Sequence, residues 1–68
     1  MKNTIHVQRA IHKMTQADLS EAIGVSRQTI NSIEKSRYVP STILALKIAR
    51  TFKVPVEELF ELEESDDR

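Results

Sequence analysis

The sequence contains no cysteine and no tryptophan, one glycine, two prolines and three aromatic side chains, Tyr38, Phe52 and Phe60. Without cysteine there is neither a disulfide nor a thiolate zinc site to stabilise a short chain. A single glycine excludes the glycine-rich loops that cradle nucleotide phosphates. No apolar run approaches the roughly 18 residues a membrane-spanning helix needs, and no signal peptide is visible, so the chain reads as soluble and cytoplasmic. His6 and His12 lie six apart, the wrong spacing for an i, i+4 zinc pair, and no carboxylate is placed to complete a ligand set. Both read as surface residues. No nucleophile, base and acid cluster in the sequence. The expectation is a protein that is not an enzyme and that uses no metal and no cofactor.

Sixty-eight residues make one small domain. So short a chain buries a limited fraction of its surface, so its helices must pack economically or oligomerisation must add core. The formal net charge is zero, which at first speaks against a polyanionic partner. The distribution argues back. Residues 1–53 hold nine Lys/Arg against three Asp/Glu, or +6, and residues 54–68 hold seven acids and one Arg, or −6. A basic body with an acidic tail is a charge dipole, and phosphates would meet the body rather than the sum. The tail is expected to point away from DNA. Residues 1–60 are assigned to the domain and residues 61–68 to the tail.

The densest pattern runs from Thr15 to Ser36. Thr15 suits a helix N-cap, and Asp18 favours the positive end of the helix dipole. Leu19 and Ile23 stand i, i+4 on one face. Gly24 follows, where a helix ends in a positive-φ residue that only glycine adopts at low cost. Ser26 then caps a second helix, read over 26–36, with Ile30 and Ile33 as its apolar stripe and Val25 at the turn. Its other side carries Arg27, Gln28, Asn31, Ser32 and Lys35. This is the layout of a helix-turn-helix whose second helix lies in the major groove. Arg and Gln carry donors and acceptors that match guanine and adenine edges, and they stand side by side at the helix start, the part that reaches bases. Arg27 and Gln28 are therefore the main candidate base readers, with Asn31 and Ser32 secondary. Thr29 suits a phosphate or a thymine methyl. Lys35 and Arg37 read as phosphate contacts, and Tyr38 as mainly structural.

Thr-Gln-Ala-Asp-Leu, Gly-Val-Ser-Arg-Gln-Thr-Ile-Asn and Ile-Glu-Lys-Ser-Arg-Tyr resemble the lambda-repressor/Cro-type (XRE) helix-turn-helix family. Within it, the chain is most similar to short bacterial and archaeal regulators of the cytolysin-repressor kind. The resemblance runs from about Asn3 to Phe60. It implies an all-α, five-helix DNA-binding domain. It also implies an ion pair between Arg9 and Glu34 that ties the first helix to the third, and a phosphate role for Gln16. Backbone N–H groups at a helix start favour anions on general grounds too. Lys13 stands where relatives often place glycine to end the first helix, Gln8 where they have an apolar residue, and Ser20 where they have alanine.

The rest of the chain reads as follows. Asn3 or Thr4 caps a first helix to about His12, in which Ile5, Val7 and Ile11 fall on no single face. Ser41 caps a fourth helix to about Phe52, with Ala45, Ile48, Ala49 and Phe52 as its core stripe; one of Ile43 and Leu44 is left over for solvent or an interface. Pro55 opens a short fifth helix. Val56, Leu59 and Phe60 offer more apolar surface than that helix needs, so with Ile43 they are the expected dimer interface. Residues 61–64 either pair as a strand with residues 1–4, as in similar regulators, or are disordered. Residues 65–68 are expected to be disordered.

The function expected from these features is sequence-specific DNA binding by a homodimer at a palindromic operator, with repression as the default. One alternative is an antitoxin-type protein whose acidic tail also holds a toxin partner. Another is a protein-interaction module that has lost DNA binding, although such a module has no reason to keep Arg27 and Gln28 exposed together.

Overall fold

The computed structural model describes residues 1–67. Five helices follow one another: α1 (Ile5–Ile11), α2 (Gln16–Ile23), α3 (Arg27–Glu34), α4 (Thr42–Phe52) and α5 (Val56–Leu59). Two short strands, β1 (Lys2–Asn3) and β2 (Phe60–Glu61), pair antiparallel with Lys2 opposite Glu61 and Asn3 opposite Phe60. A 3-10 turn over Glu64–Asp67 ends the described chain. The all-helical expectation holds, and of the two readings of the chain end the strand pair is the one that forms. Its strand starts at Phe60, one residue before the expected 61–64.

The helix boundaries follow from local chemistry. Thr15 Oγ1 accepts from the Asp18 N–H at 3.0 Å, and the Asp18 carboxylate accepts from the Thr15 N–H at 2.9 Å, closing a reciprocal capping box. Hydrogen bonding from the Thr15 backbone N–H, then from its side chain, holds the Asp18 carboxyl below its ordinary pKa. Gly24 ends α2 at φ +78°, with its N–H donating to Ser20 O. Ser26 and Ser41 cap α3 and α4 by accepting from the Thr29 and Leu44 N–H groups. Lys13 takes φ +54° at the end of α1, so the turn keeps its left-handed shape without glycine.

The core is aliphatic apart from Phe52. Ile5, Leu19, Ile23, Ile30, Ile33, Leu44, Ile48, Ala49, Phe52 and Leu59 are buried together, with Met14, Val25, Val54, Val56 and Phe60 packed at its edge. In α1 only Ile5 is buried; Val7 and Ile11 stay exposed and Gln8 is half-buried. The stripe of α4 is Leu44, Ile48, Ala49 and Phe52, with Ala45 only half-buried. The His12 ring lies over Phe52, centroids 5.2 Å apart, and covers the edge of the core there. Ser20 is buried, and its hydroxyl donates to Ala17 O at 2.8 Å, so its polarity is satisfied one turn back.

Two expectations are corrected here. Leu59 is only 1% exposed, so it belongs to the core of its own chain and has no surface to offer a second copy. The turn after Pro55 directs it inward, and its carbonyl accepts from the Thr4 N–H at 2.9 Å. The tail is also not disordered over residues 65–67. The Met1 ammonium pairs with Glu63 at 3.0 Å and Asp66 at 3.2 Å, and Asp66 caps its own turn by accepting from the Glu63 N–H. The boundary at 60/61 thus falls inside β2; Arg68, the last residue of the proposed tail, lies outside the described residues.

Candidate nucleic-acid interface

The outer face of α3 begins with Arg27 and Gln28. Both are exposed, and among the described residues neither side chain makes a hydrogen bond to the protein. The Ser26 hydroxyl accepts from the Thr29 N–H at 3.1 Å and caps the start of α3 beside them. Ile30 and Ile33 pull the opposite face into the core. Asn31 and Ser32, one turn on, are half-buried and share the outer face.

Gln16, the first residue of α2, is brought against this face. Its Nε2 donates to Asn31 Oδ1 at 3.2 Å and lies 3.4 Å from Glu34 Oε1. With its oxygen turned toward Gln16, the Asn31 amide has its N–H donors left for another partner. Gln16, Arg27, Gln28 and Asn31 line one shallow hollow. An adjoining hollow is lined by Arg27 and Gln16 with Arg9, Met14, Thr15 and Ala17, which places the start of α2 beside the start of α3.

Behind this surface, Arg9 grips Glu34 in a two-point contact. Nε lies 2.7 Å from Oε2 and Nη2 lies 3.0 Å from Oε1, while Nη1 donates to Met14 O at 3.1 Å. Glu34 retains only 9% of its side-chain exposure, so the carboxylate is largely removed from water and needs these donors. Hydrogen bonding to Glu34 raises the Arg9 pKa above its ordinary value.

Lys35, Ser36 and Arg37 follow α3 as an exposed loop, with Ser36 at φ +59°. The Lys35 and Arg37 side chains project from the end of the helix whose start carries Arg27 and Gln28. Two contacts here were not legible in the sequence. Asn3 donates from Nδ2 to Ile33 O at 2.8 Å, tying β1 to the last turn of α3. The Ser36 hydroxyl donates to Met1 O at 3.0 Å. Since the Met1 ammonium holds Glu63 and Asp66, the acidic tail reaches this basic loop through one residue.

Tyr38 also departs from its expected structural role. It is 47% exposed and lines a third hollow with Ser26, Gln28, Thr29 and Ser32. Of the residues expected at a dimer interface, Ile43 is 70% exposed, and Val56 and Phe60 are half-buried around a hollow shared with Val39, Pro40 and Leu46. Val39 and Leu46 are exposed beside them, and Leu46 lies three residues beyond Ile43 on the outer side of α4, away from its core stripe. No group of three potential metal ligands converges among the described residues, and no described helix is long and apolar enough to cross a membrane.

A helix-turn-helix family profile covers residues 6–59, the span from α1 through α5. The chain belongs to the XRE-type helix-turn-helix family of transcriptional regulators. It is 50% identical over 66 residues to an HTH-type transcriptional regulator of Methanocaldococcus jannaschii, covering 97% of this chain and 100% of that one. It is 47% identical over 66 residues to the HTH-type transcriptional regulator YgzD of Bacillus subtilis, with the same coverage. An HTH-type transcriptional regulator of Archaeoglobus fulgidus is 47% identical over 60 residues, covering 88% of this chain and 86% of its own. The similarity thus extends over the strands as well as the helices.

Proposed function

We propose that this helix-turn-helix protein represses transcription by binding a palindromic operator as a homodimer. The observation that carries this reading is the start of α3, where Arg27 and Gln28 stand exposed and unengaged beside Gln16 and Asn31. Inserted in a major groove, Arg27 and Gln28 read base edges, Asn31 and Ser32 contribute secondarily, and Gln16, Lys35 and Arg37 hold phosphates. Of the two roles open to Thr29, the thymine methyl is favoured over phosphate, because its hydroxyl is engaged with Ser26 at 2.9 Å.

The dimer reading rests on an exposed apolar patch of Val39, Ile43 and Leu46, continued by Val56 and Phe60. A second copy would bury it and add the core that a chain of this length is short of. Two-fold symmetry then sets half-sites about one helical turn apart, near 34–36 Å. The site of action is the cytoplasm, where the DNA is. The antitoxin reading has less support, because Glu63 and Asp66 are occupied by Met1.

The test is selection from random duplexes with sequencing, at several salt concentrations. An enriched palindrome with half-sites one turn apart supports the proposal. Binding without sequence enrichment refutes it.

A further inference from the structure

We propose that Tyr38 and Thr29 form a pocket for the 5-methyl group of a pyrimidine, making Tyr38 a specificity-determining residue. The inference rests on the reading of α3 as a base-reading helix. Tyr38 comes from the loop after α3, yet its half-exposed ring lines the same hollow as Gln28, Thr29 and Ser32 on the outer face of that helix. The other groups on this face are amides, hydroxyls and a guanidinium. The hollow is where an apolar wall appears among them.

Thr29 supplies the second wall. Its backbone N–H donates to Ser26 Oγ at 3.1 Å, and its own hydroxyl lies 2.9 Å from the same oxygen. With the hydroxyl turned to the cap, the γ-methyl is the group left to meet a ligand. An aromatic ring and a threonine lining one hollow with Gln28 match one feature of the major groove. That feature is the 5-methyl that thymine presents and cytosine lacks. Gln28 beside it can pair with the edge of an adenine in the same step or the next. The shared chemistry is a 5-methylpyrimidine, so thymine and 5-methylcytosine are both admissible sources.

The experiment uses the full chain and the operator obtained by selection. Each thymine of a half-site is replaced in turn by deoxyuridine, which removes the methyl and nothing else. One position is expected to lose about fourfold in affinity per half-site, the worth of burying one methyl-sized group. At that position 5-methylcytosine should bind better than cytosine if the methyl alone is sensed, and no better if a thymine edge is also read. Tyr38→Ala and Thr29→Ser should each bind the thymine and uracil operators with equal affinity, while Tyr38→Phe should keep the difference. Thr29→Ser retains the hydroxyl at the cap, so its effect is not one of folding. Uracil substitutions all within twofold of thymine, or a Tyr38→Ala protein that still discriminates, would overturn the pocket while leaving base reading by Arg27 and Gln28 intact. A protein that shows no operator preference at all would overturn both.

Discussion

Arg9 and Glu34 lie 25 residues apart and meet in a two-point contact of 2.7 and 3.0 Å. This pair fixes the back of the recognition helix to α1, and Gln16 reaches the same carboxylate from α2. Three helices are thereby keyed to one largely buried group.

Arg9→Ala should destabilise the domain by about 3–5 kcal/mol, because it leaves a buried carboxylate without its cation. Arg9→Met combined with Glu34→Leu should recover much of that loss, since no charge is then stranded. Thermal and denaturant unfolding of the three proteins checks both statements. A near-native melting temperature for Arg9→Ala alone would show that the contact is structurally idle.

Gln28→Ala and Lys35→Ala should separate reading from holding. The first should cost about 1–3 kcal/mol on the operator and little on random DNA. The second should weaken both and lower the slope of log affinity against log salt by about one. Equal losses on both duplexes for Gln28→Ala would remove it from the readers.

Gly24→Ala isolates a backbone effect. A β-carbon at this position meets no atom within 4 Å, so nothing is clashed with. The φ of +78° still disfavours an L side chain, and the loss should be about 1 kcal/mol. Lys13→Gly, at φ +54°, should offset it by a similar amount when the two are combined. Additive unfolding midpoints would support this; a much larger Gly24→Ala loss would point to a distorted α2–α3 turn.

The clasp between the chain ends should respond to pH from both sides. Hydrogen bonding to Glu63, then to Asp66, raises the Met1 ammonium pKa above its ordinary value. A raised pKa means the contribution is complete below the unfolded value, roughly pH 8, and is lost as pH climbs through the folded one. The Glu63 N–H, then Met1, hold the Asp66 pKa down, so its contribution is present at neutral pH and lost as acid reaches that lowered value. The stability difference between the native protein and the Glu63→Gln, Asp66→Asn double variant should therefore fade in base and in acid. A difference constant from acid to base would mean that the ion pairs do not act in solution.

The recognition unit was readable from the chain because its signals are local. Thr15 and Asp18, Gly24, Ser26, and the Ile30–Ile33 spacing each act over four residues or fewer, and hydrogen bonds over that range depend little on the rest of the fold. The same reasoning placed the fourth helix but shifted its stripe, since Ala45 and Leu44 are neighbours on a helix and only the partner surface chooses between them. It misplaced Leu59 because an apolar residue on a one-turn helix carries no periodicity to say which way it faces. The contacts of Asn3 with Ile33 and of Met1 with Glu63 span 30 residues or more and leave no mark in local pattern.

By itself, then, the sequence determined where each helix starts and stops around the turn, and which long polar side chains open the recognition helix. Capping and helical periodicity are properties of adjacent residues. Tertiary structure alone decided that the acidic tail folds back to Met1, that Leu59 is core while Ile43 is surface, and that Tyr38 comes to rest beside Thr29. Those outcomes depend on which distant segments meet, and the meeting is set by the shape of the packed core.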